Sequence, residues 1–380
     1  MSGTAGDGFE TRAIHAGHEP DPSTGAIVPP ISLATTFAQD AVGKHRGYEY
    51  SRSGNPTRTA METCVASLED ARHGLAFASG LAAEDAILRT LDPGDHLIIP
   101  NDAYGGTYRL VARVYERHGI AWSACDLRDL SALEAAWRPE TRMVWIETPT
   151  NPLLSIVDIE AVARAARDQD ARVIVDNTFA TPYLQKPLAL GADASVHSST
   201  KYLGGHSDVV GGFIAVNDAE FADELRFLQN AMGAVPSPFD CYLVSRGVKT
   251  LAVRMREHCT NAQAIVRMLR EHDAVAKVLY PDESDVARRQ MRDFGGMVSF
   301  LANDEDAALE LVTRTRLFTL AESLGAVESL IEHPARMTHA SVAGSPLEVD
   351  PRLVRLSVGI ESQADLVADL QQALDAVARA

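Results

Sequence analysis

Val173-Ile174-Val175 runs into Asp176 and Asn177, and Ala194-Ser195-Val196-His197 runs into Ser198-Ser199-Thr200-Lys201, which places a lysine 25 residues after the aspartate. Short β-branched runs read as buried parallel strands, and such a strand delivers its last side chain beyond the carboxyl edge of a sheet. The groups delivered here are an acid, two hydroxyls and a primary amine. Pyridoxal phosphate needs that set: a carboxylate to pair with its ring nitrogen, an amine to condense with its aldehyde, and hydroxyls to hold its phosphate. Only five of the 35 Lys and Arg residues are lysines (44, 186, 201, 249 and 277). Against that background, a lysine kept in a Ser/Thr/Gly-rich turn carries more weight than a surface charge.

Other residues suit the same chemistry less specifically. Ser79-Gly80-Leu81 stands between an apolar run and a helical pattern starting near Ala82; a glycine there lets backbone N–H groups approach an anion, and a helix N-terminus adds partial positive charge. Tyr104, in Asp102-Ala103-Tyr104-Gly105-Gly106-Thr107, follows Ile98-Ile99-Pro100. Its ring can stack on a planar cofactor, and its phenol can exchange a proton if its pKa is lowered. Tyr50 and Arg52 precede Asn55-Pro56; arginine suits bidentate phosphate contact, and a helix-capping segment accounts for the same residues equally well. Arg355 lies within Val354-Arg355-Leu356-Ser357-Val358, where a guanidinium needs a partner, either a substrate carboxylate or a structural ion pair. His206-Ser207-Asp208 is no hydrolase triad, because adjacent residues do not converge on one another and no nucleophile elbow accompanies them. Neither a phosphate loop ending in Gly-Lys-Ser/Thr nor a Gly-x-Gly-x-x-Gly is present.

The elements that must position these groups alternate along the chain. Strands are expected at residues 75–78, 96–99, 143–146, 173–176, 194–197 and 213–216, and helices at 108–118 and 159–168. A further helix starts at Asn55-Pro56, with Asn55 as cap and Met61, Val65 and Leu68 on one face. The alternation predicts a doubly wound α/β fold, its mainly parallel sheet covered on both faces and its ligands beyond the carboxyl ends of the strands, where Glu147 also falls. Residues 1–48, with Gly and Pro at short intervals, read as an extended arm, and residues 49–243 as the large domain. From 244 a long helical stretch to 271 leads into strands near 275–280, 297–301 and 354–358 and a helix from Ala364, a smaller α+β domain over 244–380.

Bulk composition excludes several partners. A net charge of −17 argues against nucleic acid and anionic membrane surfaces. Cys64, Cys125, Cys241 and Cys259 are scattered, with no pair at metal-ligand spacing, so no metal is expected and the thiols read as reduced. No apolar run reaches spanning length, and residues 1–9 lack an apolar core, which points to a cytoplasmic protein without a signal peptide.

Taken in order, these motifs resemble the cysteine/methionine-metabolism family of pyridoxal phosphate enzymes, from Thr11-Arg12-Ala13-Ile14-His15 to Arg355-Leu356-Ser357-Val358-Gly359. The most specific pieces are residues 50–57, 102–107, Glu147-Thr148-Pro149-Thr150-Asn151-Pro152, Val175-Asp176-Asn177-Thr178-Phe179, Ser198-Ser199-Thr200-Lys201 and Ala321-Glu322-Ser323-Leu324-Gly325. The resemblance implies a type I aminotransferase-like fold, pyridoxal 5'-phosphate as cofactor, and a homotetramer of two dimers with shared active sites. In it, Lys201 would bind the cofactor aldehyde and shuttle protons, Asp176 would pair with the ring nitrogen, and Tyr104 would stack on the ring. Ser79, Gly80, Leu81, Ser198 and Thr200 would hold the phosphate, with Tyr50 and Arg52 supplied by a second copy. Arg355, helped by Asn151 and Ser323, would hold the carboxylate of an amino-acid substrate, and Glu49, Arg109, Glu322 and Thr338 would shape its distal end. The run Ser79–Asp85 and Glu322 lean toward the cystathionine γ-lyase branch, which implies γ-elimination giving cysteine, 2-oxobutanoate and ammonia. The alternative is γ-replacement on an O-acylated homoserine by cysteine or another nucleophile. Three positions depart from common family patterns or separate its branches. Leu81 replaces a usual methionine, the loop after Tyr280-Pro281 is short, and Gly106 stands where the methionine γ-lyase branch has a cysteine.

Overall fold

The computed structural model describes residues 6–339, 344–345 and 347–378. Seven strands form the larger sheet: β1 (His73–Phe77), β2 (His96–Pro100), β3 (Ala121–Cys125), β4 (Thr141–Glu147), β5 (Arg172–Asp176), β6 (Ala194–Ser198) and β7 (Gly212–Val216), in the spatial order β1-β7-β6-β5-β4-β2-β3. All neighbours run parallel except β7, which is antiparallel to β1 and β6. Helices on both faces bury the central strands from either side, so Met143, Val144, Trp145 and Ile146 of β4 have no exposed surface. Six of the strands fall where the sequence predicts strands. The edge strand β3 was not expected: it is half-buried along its length and, with the sequence Ala-Trp-Ser-Ala-Cys, carries no β-branched residue.

Capping fixes where the helices begin. Asn55 Oδ1 accepts the N–H groups of Thr57 and Arg58 at 2.9 and 3.2 Å, and Pro56 occupies the first turn of Pro56–Leu68. Ser79 Oγ likewise accepts Ala82 N–H at 3.0 Å at the start of Gly80–Leu88. The helix expected at 108–118 starts earlier, as Gly105–Arg113, and tightens into the 3₁₀ turn Tyr115–His118. Gly119, at φ +84°, ends it.

The second sheet joins β8 (Val275–Leu279), β9 (Met297–Ala302), β10 (Thr319–Leu320), β11 (Leu330–Glu332) and β12 (Leu353–Ser357) in the order β8-β9-β12-β11-β10. β10 and β11 are too short to show a period in the sequence. The long helical stretch is two helices, Pro238–Val248 and Leu251–Arg270. The second links the two halves: Leu251, Met255 and Cys259 pack into the core around Pro56–Leu68, and Ile265, Val266 and Leu269 into the core of the second sheet. After Pro281 the short connection forms the helix Asp285–Gln290, and Gln290 Nε2 donates to Val157 O and Gln185 Oε1 at 2.9 and 3.0 Å.

The N-terminal arm is not extended throughout. Phe9–His15 is a helix whose Phe9 and Ala13 pack against Pro56–Leu68, and Gln39–Ala41 pairs with Lys44–His45 as a small hairpin. Between and beyond them the arm leaves Ile27, Leu33 and Val42 exposed by 82%, 71% and 103%.

Candidate active site

Parallel register brings the acids together. Glu147 at the end of β4 lies opposite Asp176 at the end of β5, and Asp176 lies opposite Val196 of β6. The turn after β6 then carries Lys201 back over these strand ends. A cavity of about 310 Å³ opens there, lined by Lys201, Asp176, Tyr104, Ser198, Glu322 and Arg355. Ser79, Gly80, Leu81, Thr200, Asn151, Ser323 and Thr338 line it as well. The fold thus gathers thirteen of the residues proposed from sequence. Glu49, Tyr50 and Arg52 lie outside it, exposed on the arm, where Arg52 Nε donates to Asn230 Oδ1 at 3.1 Å. Arg109 is also absent from the lining but interacts with Tyr104, whose phenol its charge pulls down.

Lys201 Nζ donates to Ser323 Oγ at 2.8 Å. Burial first, then the Arg355 guanidinium, push the amine down to about 8, against the opposing pull of Glu332 and Glu322. Ser323 holds φ +91°, a left-handed region that favours glycine, and its carbonyl accepts Arg355 Nη2 at 2.9 Å. Arg355 therefore fixes the backbone that presents the partner of Lys201.

Arg355 is 2% exposed, although it points into the cavity. Its Nη1 donates to Asn151 Oδ1 at 2.7 Å, and Nη2 lies 3.0 Å from Glu332 Oε2, while Nε has no partner. Strand pairing explains the match, since Arg355 in β12 lies opposite Glu332 in β11. Glu332 also accepts the Thr338 hydroxyl at 2.8 Å. Arg355 thus has the structural ion pair that was one reading from sequence, and it also lines the cavity. Glu332 was missed, because β11 gave no sequence signal.

Glu147 was noted only as a strand end, yet it organises the rim. Its Oε2 accepts Tyr104 N–H at 2.8 Å and its Oε1 accepts Asn151 N–H at 2.6 Å, so one buried carboxyl ties two loops together. The peptide bonds Thr148–Pro149 and Asn151–Pro152 in the second loop are cis. Burial and the neighbouring Asp176 push Glu147 well above the usual carboxylate range; burial also raises Asp176, against hydrogen bonds from Thr178. Burial raises Tyr104 too. The lowered phenol that a base would need is not found, and Tyr104 keeps its proton near neutral pH.

The phosphate end is built by close approach. A Cβ on Gly80 would come within 2.9 Å of Ser198 Cβ, and one on Gly212 within 2.1 Å of Ser79 O. Glycine at both places lets the first turn of Gly80–Leu88 close on the β6 turn, where backbone N–H groups and hydroxyls suit a phosphate. Thr200 Oγ1 accepts Gly211 N–H at 3.1 Å, which holds the other side of the turn. With a depressed lysine amine at one end, an acid at a strand tip and a cradle that a Cβ would fill, the cavity fits pyridoxal phosphate. Among the described residues no group of His, Cys, Asp and Glu is arranged to hold a metal, and no helix is long and apolar enough to cross a membrane.

Known proteins share both sequence and fold. The chain is 57% identical over 375 residues to the cystathionine gamma-synthase of Mycobacterium tuberculosis, covering 97% of each chain. It is 50% identical over 377 residues to the cystathionine beta-lyase of Coxiella burnetii, covering 96% of this chain and 97% of that one. The crystal structure of metB from Corynebacterium glutamicum superposes with a TM-score of 0.97 at 53% identity, over 98% of this chain and 99% of that one. The family model described as Cys/Met metabolism PLP-dependent enzyme matches residues 10–375. The lysine, the strand-tip acid and the glycine cradle thus sit in a chain that belongs to the pyridoxal phosphate-dependent enzymes of cysteine and methionine metabolism.

Proposed function

We propose that this enzyme exchanges the γ-substituent of an O-acylated homoserine for the sulfur of cysteine, forming cystathionine. One observation carries the amino-acid substrate: Lys201 and Arg355 meet at Ser323, whose hydroxyl takes the lysine and whose carbonyl takes the guanidinium. An amine-handling group and a carboxylate receptor therefore face the same small cavity. Replacement rather than elimination is supported by the synthase name of the mycobacterial relative. The expectation of a γ-lyase leaned instead on the run Ser79–Asp85 and Glu322. Leu81 lines the cavity in the same turn as Ser79 and Gly80, the turn proposed to hold the cofactor phosphate.

When bound, pyridoxal phosphate supplies an electron sink for removing protons from the amino-acid skeleton. The protein's own groups do the rest. Lys201, with its amine near 8, takes and returns protons close to neutral pH. Arg355 releases Glu332 in favour of the incoming carboxylate, while Asn151 keeps the guanidinium plane fixed. Tyr104, still protonated, serves as the proton donor toward the departing group. Asp176 holds the proton of the ring nitrogen, and Glu322, Thr338 and Arg109 are placed to read the distal end. The reading includes a homotetramer in the cytoplasm, in which Glu49, Tyr50 and Arg52 of one copy complete the site of a neighbour.

A second reading is elimination from cystathionine, at the γ-carbon as expected from sequence or at the β-carbon as the beta-lyase name of the Coxiella relative suggests. Purified enzyme given O-acetyl- or O-succinyl-homoserine with cysteine should accumulate cystathionine. Release of a 2-oxo acid and ammonia from cystathionine alone, with no synthesis from the acylated homoserines, would replace the first reading with the second.

A further inference from the structure

Glu84 stands in the second turn of Gly80–Leu88, on the cavity wall it shares with Asp176 and Tyr104. Its side chain is buried to 4% exposure, and its Oε2 has no hydrogen-bond partner. The hydroxyl of Thr107, at 1% exposure, is unpaired as well. An ionised carboxylate in that place would lack the donors that a buried charge requires. A protonated one carries its own donor and needs only an acceptor.

Three acids crowd this corner, and their partners differ. Both oxygens of Glu147 accept backbone N–H groups, and Asp176 accepts the N–H of Thr178 at 2.9 Å. Glu84 keeps an uncommitted oxygen. Burial first, and then the charge of Asp176, push Glu84 up to about 8; the Thr107 hydroxyl opposes this, though it is too poorly placed to make a full hydrogen bond. The other charged or titratable groups here are Tyr104, with Arg109 beside it, and Lys201 on the cavity wall. His197 acts on Asp176 as well, lowering it.

We propose that Glu84 is a positioning residue for the cofactor: it keeps its proton and donates a hydrogen bond to Asp176, holding that carboxylate from the helix side for the ring nitrogen. The proposal rests on the pyridoxal phosphate reading of the cavity and not on the choice between replacement and elimination.

The test compares Glu84→Gln and Glu84→Leu in the full-length protein, stripped of cofactor and reloaded with pyridoxal phosphate. Glu84→Gln keeps an N–H donor. Its cofactor dissociation constant and the pH midpoint of the bound cofactor's visible absorbance should stay near wild type. In Glu84→Leu the dissociation constant should rise about tenfold, as for the loss of one hydrogen bond to a charged group. The absorbance midpoint should also rise, because negative charge then concentrates on Asp176 and favours the cationic form of the bound chromophore. A leucine variant that matches wild type, or a glutamine variant as impaired as leucine, overturns the proposal. Should the leucine variant fail to fold, infrared difference spectra of the cofactor-free wild type and Glu84→Gln decide. At pH 7 the wild type should show a protonated-carboxyl band that the glutamine variant lacks, and no difference between them overturns the proposal. Wild-type protein that takes up no pyridoxal phosphate would instead sink the reading of the cavity itself.

Discussion

Lys201 is a base made from a lysine by its surroundings. Burial and then Arg355 take its amine from the usual 10.5 down to about 8: the closed site strips water from the ammonium ion, and a second cation beside it adds to the cost of charging it. Below that value the side chain is an ammonium ion that cannot attack the cofactor aldehyde; above it the free amine dominates. Cofactor loading by the cofactor-free protein should therefore speed up as pH rises through about 8 and then level off, as followed by the growth of visible absorbance. A rate still climbing toward pH 10, as for an ordinary lysine, would contradict that assignment. Lys201→Ala should retain its fold and lose turnover, measured by circular dichroism and product formation. Asp176→Asn should still bind cofactor yet lose turnover by orders of magnitude, because an amide does not hold the ring proton by charge; most of the activity remaining would make Asp176 a structural strand end. Asp176 was legible in the sequence because it closes an apolar run, and Lys201 because it is a rare lysine in the Ser/Thr-rich turn after the next strand. Glu332 and Glu84 were not read as site residues: their partners come from other strands or turns, and that proximity exists only after folding.

At the scale of elements, two close approaches carry the site. The first turn of Gly80–Leu88 meets the β6 turn only because Gly80 has no side chain. Gly80→Ala should fold, since alanine favours a helix, but it pushes the turn away from Ser198. Pyridoxal phosphate affinity should fall by about tenfold or more, as expected when phosphate-binding N–H groups are displaced; equilibrium dialysis that finds unchanged affinity would refute the cradle. The second approach is β11 beside β12, which buries the Arg355–Glu332 pair at 2% and 1% side-chain exposure. Arg355→Ala leaves Glu332 without its counter-charge and should cost about 3–5 kcal/mol of stability. Chemical denaturation would measure that cost, and Glu332→Gln combined with it should recover part of the loss. The parallel core of the large sheet could be read from the sequence because strands covered on both faces are continuous apolar runs. The edge strand β3 and the short β10 and β11 could not, since partial burial and two or three residues leave no periodic pattern.

For the whole molecule, the arm is the unfinished part. Ile27, Leu33 and Val42 are exposed, and Tyr50 and Arg52 are absent from the lining of their own chain's cavity. In the proposed assembly, a symmetric pair of copies would cover such an arm and bring Tyr50 and Arg52 of each to the site of the other. Arg52→Ala and Lys201→Ala proteins should each be nearly inactive, and refolding them together should restore up to about a quarter of wild-type activity, because half the dimers are mixed and each keeps one intact site. Mixed dimers that form and remain inactive would return the arm to its own chain. The fate of the γ-substituent separates replacement from elimination. It is tested most directly by giving the holoenzyme O-acetyl- or O-succinyl-homoserine at fixed concentration, raising cysteine stepwise, and measuring cystathionine and 2-oxobutanoate in the same samples. Cystathionine should become the dominant product as cysteine rises, with 2-oxobutanoate falling in step. Continued release of 2-oxobutanoate with no cystathionine at any cysteine concentration would contradict replacement.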